Sequence, residues 1–324
     1  MSFRTIPIVK RTFAGLVFTF LIAVVPWDYV RNAEFADVEN YVSRIDILKT
    51  HGLDYYDYNK SIVGLLTFEY AWVRLLTFLA RNNLDPQQIL GILSAISAFL
   101  THRFLSRYLG GIAAILILAN PITIDLLVSQ VRSALAFSIV LTAVQMQEGS
   151  LRRLLPYILF AVAPFIHTGM ILVIFVYFLS VWLSRRRSST LLNSAFLTAG
   201  LGLLSGLVIS TTVVDIAQAM GDRRNFSDTE TKSLSYMFFW FLWAALLVIQ
   251  ASARSTRTWY YHFSLYICIA VWVMESSGIA SFRFIALSIP IIALSSIHLH
   301  KRARIIAWVA MLFYNFLLYY YWTL

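Results

Sequence analysis

Apolar runs long enough to cross a bilayer recur down this chain, and that recurrence limits the fold more than any other feature. A helix needs about 20 apolar residues to cross a hydrocarbon core of about 30 Å. The expected class is therefore all-α: a polytopic membrane protein with about 11 transmembrane helices. They form a single integral membrane domain over residues 1–324. Charged residues make up 13% of the chain, against about 25% in soluble globular domains. The formal net charge of +10 would point to nucleic acid in a soluble protein. In a membrane protein it follows from basic residues gathering on the cytoplasmic side, so no nucleic-acid partner is expected.

The one cysteine, Cys268, lies in an apolar run. It allows neither an intrachain disulfide nor a cysteine-based metal site. The six histidines are scattered without metal-ligand spacing, so neither metal nor cofactor is expected. The first apolar run ends at Pro26-Trp27-Asp28 rather than at small residues. It reads as a retained helix, not a cleaved signal.

Arg4, Lys10 and Arg11 precede that helix and place the N-terminus in the cytoplasm. The stretch 28–86 is the least hydrophobic in the chain and is expected as an outer loop carrying an interfacial helix. That helix is 61–81. It is long enough to span, yet Thr67, Tyr70, Arg74, Thr77 and Arg81 recur on one face, with Leu65, Leu66, Trp72 and Leu76 largely opposite. A polar face with arginine fits a helix lying in the interface. With 61–81 not crossing, the clusters His102-Arg103/Arg107, Arg152-Arg153, Arg185–Arg187, Arg254/Arg257 and Lys301-Arg302/Arg304 all fall inside. With 61–81 crossing, all five fall outside. The first option is adopted.

The remaining crossings run approximately 87–104, 108–120, 128–146, 153–166, 169–184, 190–210, 233–250, 260–275, 284–299 and 304–322. Between Arg153 and Arg185 there is room for two helices of only about 23 Å each, so the apex at His167 is expected below the outer surface. Asn120-Pro121 breaks another outward helix, and Arg132 sits about one turn inside its return. Broken helices at membrane depth are tolerated where they line a cavity or are buried in protein. An outward-facing cavity walled by Arg132 and His167 is expected. A second outer loop, 212–232, carries Arg223 and Arg224.

Few polar residues interrupt the apolar segments: Glu69, Arg74, Asp125, Gln130, Arg132, His167, Glu275 and Arg283. Under the adopted topology all lie at the outer side. Arginines in a low-dielectric cavity make an anion site, because the guanidinium grips phosphate in a fork and stays charged. At a bilayer that anion is a lipid phosphate or pyrophosphate. Arg132 and Arg283 would steady charge on a departing pyrophosphate, and a nearby Asp, Glu or His would take the proton of an attacking hydroxyl. Tyr29, Tyr41, Tyr55, Tyr56 and Tyr58 supply rings suited to a sugar face. Plainer readings stand beside these. Arg132 pairs with Asp125, Glu69 with Arg74, His167 caps a broken helix, Arg283 snorkels to headgroups, Asp37 is a loop aspartate and Tyr41 an interfacial anchor.

In order, the chain holds Phe35-Ala-Asp37-Val-Glu-Asn-Tyr41, Phe68-Glu69-Tyr70, Gln130-Val-Arg132-Ser-Ala-Leu-Ala136, Phe165-Ile-His167-Thr-Gly-Met and Arg283-Phe284. This order resembles the EpsG family of bacterial polysaccharide polymerases, the Wzy type, over most of the chain. It departs where that family usually has Glu-Pro and Arg-Gln, and this chain has Glu69-Tyr70 and Arg132-Ser133. The resemblance implies a fold akin to the GT-C glycosyltransferases. It also implies transfer of a growing glycan from undecaprenyl pyrophosphate onto a lipid-linked repeat unit, at the outer face of the bacterial inner membrane. It implies no metal, and work beside a Wzz-type chain-length regulator and a flippase. Within it Asp37, Glu69 and His167 are candidate catalytic residues, and Arg132, Arg283, Gln130, Tyr41, Arg223 and Arg224 are candidate substrate contacts. An O-antigen ligase and a polysaccharide-lipid transporter or flippase are the alternatives.

Overall fold

The computed structural model describes residues 8–52, 61–82, 84–148, 154–186, 190–213, 234–277 and 281–324. These are helical, with no strand among the described residues. The chain divides into two compact units, one of Met1–Ile174 with Tyr314–Leu324 and one of Phe175–Phe313.

The first unit contains α1 (Ile8–Val24), α2 (Trp27–Arg31), α3 (Ala36–His51), α4 (Ile62–Thr67), α5 (Tyr70–Ala80), α6 (Pro86–Leu109), α7 (Gly111–Leu118), α8 (Pro121–Val128), α9 (Val131–Glu148) and α10 (Leu155–Ile166). Helix α6 packs on α1 and α9, and α9 packs on α10. The start of α6 is fixed locally: Pro86 opens it, and the Asp85 main-chain N–H donates to Gln88 Oε1 at 3.1 Å. Helix α11 (Met170–Arg185) runs from the first unit into the second.

The second unit holds α12 (Leu191–Val208), continued by a π-helical turn at Ile209–Val213, then α13 (Leu234–Ile249), α14 (Trp259–Ser276) and α15 (Phe282–Ser295). Helix α14 is buried along most of its length and packs against α12, α13 and α15. Two glycines one turn apart let α12 close on it. A Cβ at Gly202 would stand 2.7 Å from the Tyr266 carbonyl oxygen, and one at Gly206 2.9 Å from that of Ala270. Small residues four apart permit such backbone approach between helices in lipid.

Helix α16 (Lys301–Thr323) ends the chain, and its last turns belong to the first unit. There they clasp the joint between α7 and α8, which meet at 83°. Asn120 caps α8 through the Ile122 N–H at 2.9 Å, and its amide also donates to Asn315 Oδ1. The Asn315 amide reaches the Leu116 carbonyl at 3.4 Å, and the Tyr319 hydroxyl donates to the Ala119 carbonyl at 2.8 Å. The carbonyls freed by the bend thus find partners inside the protein, as a broken helix in lipid requires. Tyr319 therefore has a structural duty at this joint.

Three described helices are long and apolar enough to cross a membrane: Pro86–Leu109, Leu191–Thr212 and Lys301–Thr323. The bent α7–α8 pair makes a fourth if it counts as one span. Two expectations change. The crossing placed at 108–120 is not a straight helix: α6 continues to Leu109, and α7 alone is about 12 Å long. The interfacial helix placed at 61–81 is two helices, broken at Phe68-Glu69 where Glu69 takes a left-handed φ of 53°. Trp72 and Leu76 face inward as expected, but Thr77, assigned to the polar face, is buried and donates to the Val73 carbonyl at 2.8 Å. The stretch expected as outer loop also contains α3. Its Tyr41, Ile45 and Leu48, spaced four and three apart, are buried along one stripe.

Candidate active site

Three helix breaks of the first unit converge. Glu69 sits between α4 and α5, Arg132 in the first turn of α9, and His167 between α10 and α11. Each break has a local cause. The left-handed backbone at Glu69 stops α4, and Asn120-Pro121 starts the short α8, whose end sets the start of α9. His167 has extended backbone (φ −148°, ψ 114°), and its N–H still donates to the Ala163 carbonyl at 3.0 Å to close α10.

The Arg132 guanidinium donates through Nη1 to Glu69 Oε2, and His167 Nδ1 lies 2.8 Å from Glu69 Oε1. The Thr168 N–H reaches the same oxygen at 3.3 Å, and the Thr168 hydroxyl donates to the Leu66 carbonyl at 2.9 Å. The α4–α5 break is therefore tied to the α10–α11 break through main chain as well as side chains. The side chains of Glu69, His167 and Arg132 keep only 8%, 12% and 19% of their exposure. A carboxylate so enclosed needs such partners to remain charged. Burial pushes the Glu69 carboxyl up, but the His167 hydrogen bond and the charge on Arg132 outweigh it and hold the group below its usual range. Glu69 is then an acceptor only, so His167 presents its Nδ1–H to it.

Arg132 lies in the first turn of α9, where the helix dipole disfavours a cation. Glu69 offsets that. The Arg132 Nε is buried without a hydrogen-bond partner among the described residues. Tyr41 is buried over the same place. Its ring meets Trp72 edge-on at 5.7 Å and its phenol oxygen lies against the Arg132 main chain. Burial pushes that phenol's pKa up.

Beside this cluster runs a second one. The Gln130 amide donates from Nε2 to Asp125 Oδ2 at 2.9 Å, and Arg31 Nη1 stands 3.4 Å from Asp125 Oδ1. The Arg31 guanidinium also covers the Phe35 ring at 4.9 Å.

The sequence-predicted residues Glu69, Arg132, His167 and Tyr41 are thus brought together, with Gln130 in the turn leading to Arg132. The plainer pairings do not form. Asp125 pairs with Arg31 rather than Arg132, and Arg74 donates from Nε to the Tyr70 hydroxyl at 2.6 Å rather than to Glu69. Asp37 is in the first turn of α3. Arg283 belongs to the second unit, in the first turn of α15, with its guanidinium 5.7 Å from the Phe282 ring centroid. Arg223, Arg224, Tyr55, Tyr56 and Tyr58 lie outside the described residues. Sequence reasoning missed Thr168, Trp72 and Arg31. Thr168 was adjacent to a residue already chosen, and Arg31 is a lone cation in a segment read as loop.

Taken together, these features define an all-helical protein with apolar helices of membrane-spanning length and a buried carboxylate–guanidinium–imidazole cluster built at three helix breaks. The chain belongs to the EpsG family: the family model matches residues 11–324. That family comprises Wzy-like polysaccharide polymerases. No curated protein and no solved structure matches the chain.

Proposed function

We propose that this protein polymerises lipid-linked oligosaccharide repeat units at the outer face of the bacterial inner membrane. It moves the growing glycan from undecaprenyl pyrophosphate to the acceptor repeat unit. The observation that carries the reading is the Glu69–Arg132–His167 cluster, which offers the two functions glycosyl transfer needs. Arg132, at the start of α9, suits a pyrophosphate. As the bond from the anomeric carbon to the pyrophosphate oxygen breaks, the departing charge is met there. The acceptor hydroxyl forms the new bond at that carbon and gives its proton to His167, whose imidazolium Glu69 then stabilises. The cluster needs no metal for these steps.

Asp37 remains a candidate alternative base. Gln130 and Tyr41 are candidate contacts for the sugar or the pyrophosphate. Arg283, Arg223 and Arg224 keep a substrate-binding assignment from the sequence. The reading includes a cytoplasmic N-terminus, about eleven crossings, a GT-C-like architecture, and work beside a Wzz-type regulator and a flippase.

The test is complementation of a deletion strain. Loss of the gene should leave single-repeat product, and the wild-type copy should restore long chains. Arg132→Ala and Arg283→Ala should each shorten them. If both leave chain length unchanged, the site assignment is wrong. Long unattached chains in the deletion strain would favour a ligase instead.

A further inference from the structure

We infer that Asp125 is a positioning residue for Arg132, acting through Gln130. Asp125 lies in the last turn of α8, and two sets of contacts tie it to the turn that launches α9. Its main-chain carbonyl accepts from Ser129 N–H at 2.8 Å and from Gln130 N–H at 3.2 Å. Its carboxylate accepts from the Gln130 amide at 2.9 Å and faces Arg31 at 3.4 Å. Gln130 is 3% exposed, and its carbonyl is the first acceptor of α9, taking the Ala134 N–H at 3.0 Å. Arg132 follows two residues later.

Gln130 is anchored at both ends by Asp125: main-chain N–H to carbonyl, side-chain amide to carboxylate. Its rotamer and the direction of the first α9 turn are fixed together. The Gln130 Oε1 is buried with no hydrogen-bond partner among the described residues. An acceptor left so is costly, and the turn keeps this orientation because the Asp125 carboxylate can receive only the NH2 side of the amide. Arg31 neutralises the carboxylate that does this holding. A shift of about 1 Å in a charge-stabilising group costs on the order of a hundredfold in rate, so a cation that must meet a departing pyrophosphate benefits from such anchoring.

The inference rests on the polymerase reading. The test uses the full-length protein in lipid nanodiscs with an undecaprenyl-pyrophosphate oligosaccharide as probe, counting folded molecules by their monodisperse fraction. Asp125→Ala should lower kcat by about tenfold or more while KM stays within about threefold. Asp125→Asn, closer in shape, is read by the same criteria if the alanine variant fails to fold. In an Arg132→Lys background the same substitution should cost less than about twofold, because the group it positions is already displaced. A kcat per folded molecule equal to wild type, or an undiminished loss in the Arg132→Lys background, overturns the inference alone. A wild-type protein that elongates nothing overturns the polymerase reading and this inference with it.

Discussion

His167 Nδ1 and Glu69 Oε1 stand 2.8 Å apart although 98 residues separate them in sequence. Each belongs to a helix break rather than to a helix, and the contact joins the two breaks. Arg132, from a third break, completes the cluster on the other oxygen of the same carboxylate. Glu69 is therefore the shared member, and its removal should be the most damaging.

Glu69→Gln keeps the shape but removes the charge between Arg132 and His167. Taking one partner from a buried pair costs about 3–5 kcal/mol. The expected outcome is a large fall in melting temperature of the detergent-solubilised protein, together with loss of polymer in the complemented strain. Thermal unfolding and gel analysis of the polysaccharide check both.

The same pair fixes a pH dependence. The Glu69 carboxyl is held below its usual range in the folded protein. A group so depressed contributes stability above its unfolded pKa, about 4.3, and loses that contribution as pH falls through the lower folded value. From the Glu69 shift, the melting-temperature gap between wild type and Glu69→Gln should narrow only below about pH 4.3.

Gly169→Ala should impair activity more than stability. A Cβ there would stand 3.0 Å from His167 Nε2 and press on the imidazole. The ring would turn from its bond with Glu69 while the helices stay intact. Polymer yield should drop, with a smaller fall in melting temperature than in Glu69→Gln, because the Arg132 contact to Glu69 is kept.

Asn315→Ala tests the clasp of the last helix on the α7–α8 joint. It leaves the buried Asn120 amide without its acceptor, a loss of about 1–3 kcal/mol. A lowered melting temperature is expected, with short rather than absent polymer. Adding Asn120→Ala should cost only the further loss of the α8 cap, about 0.5–2 kcal/mol, since the bond between the two amides is already gone.

Glu69, Arg132 and His167 could be picked from the sequence because a charge in an apolar run is expensive and kept for a reason. Their pairing could not. Glu69 and Arg74 are five apart, which on a continuous helix is about 140° around the axis. The left-handed Glu69 turns its carboxylate toward α9 and α10 instead. Helix α3 was hidden because its average hydropathy is low, although Tyr41, Ile45 and Leu48 form an apolar stripe at helical spacing. The break at Asn120-Pro121 was legible from proline chemistry. Its partner Asn315 was not, because a contact across 195 residues leaves no local pattern. The Gly202–Gly206 approach to α14 carried a readable four-residue spacing, but spacing does not say which helix comes close.

The central claim is that Arg132, held by Glu69 at the start of α9, meets the charge of a departing pyrophosphate. The most direct measurement is single-turnover elongation by purified protein in nanodiscs, wild type against Arg132→Ala, with an undecaprenyl-pyrophosphate oligosaccharide. The account predicts a product ladder for the wild type and, for folded Arg132→Ala, a rate lower by about a hundredfold or more. A ladder of unchanged length and rate from folded Arg132→Ala would contradict it.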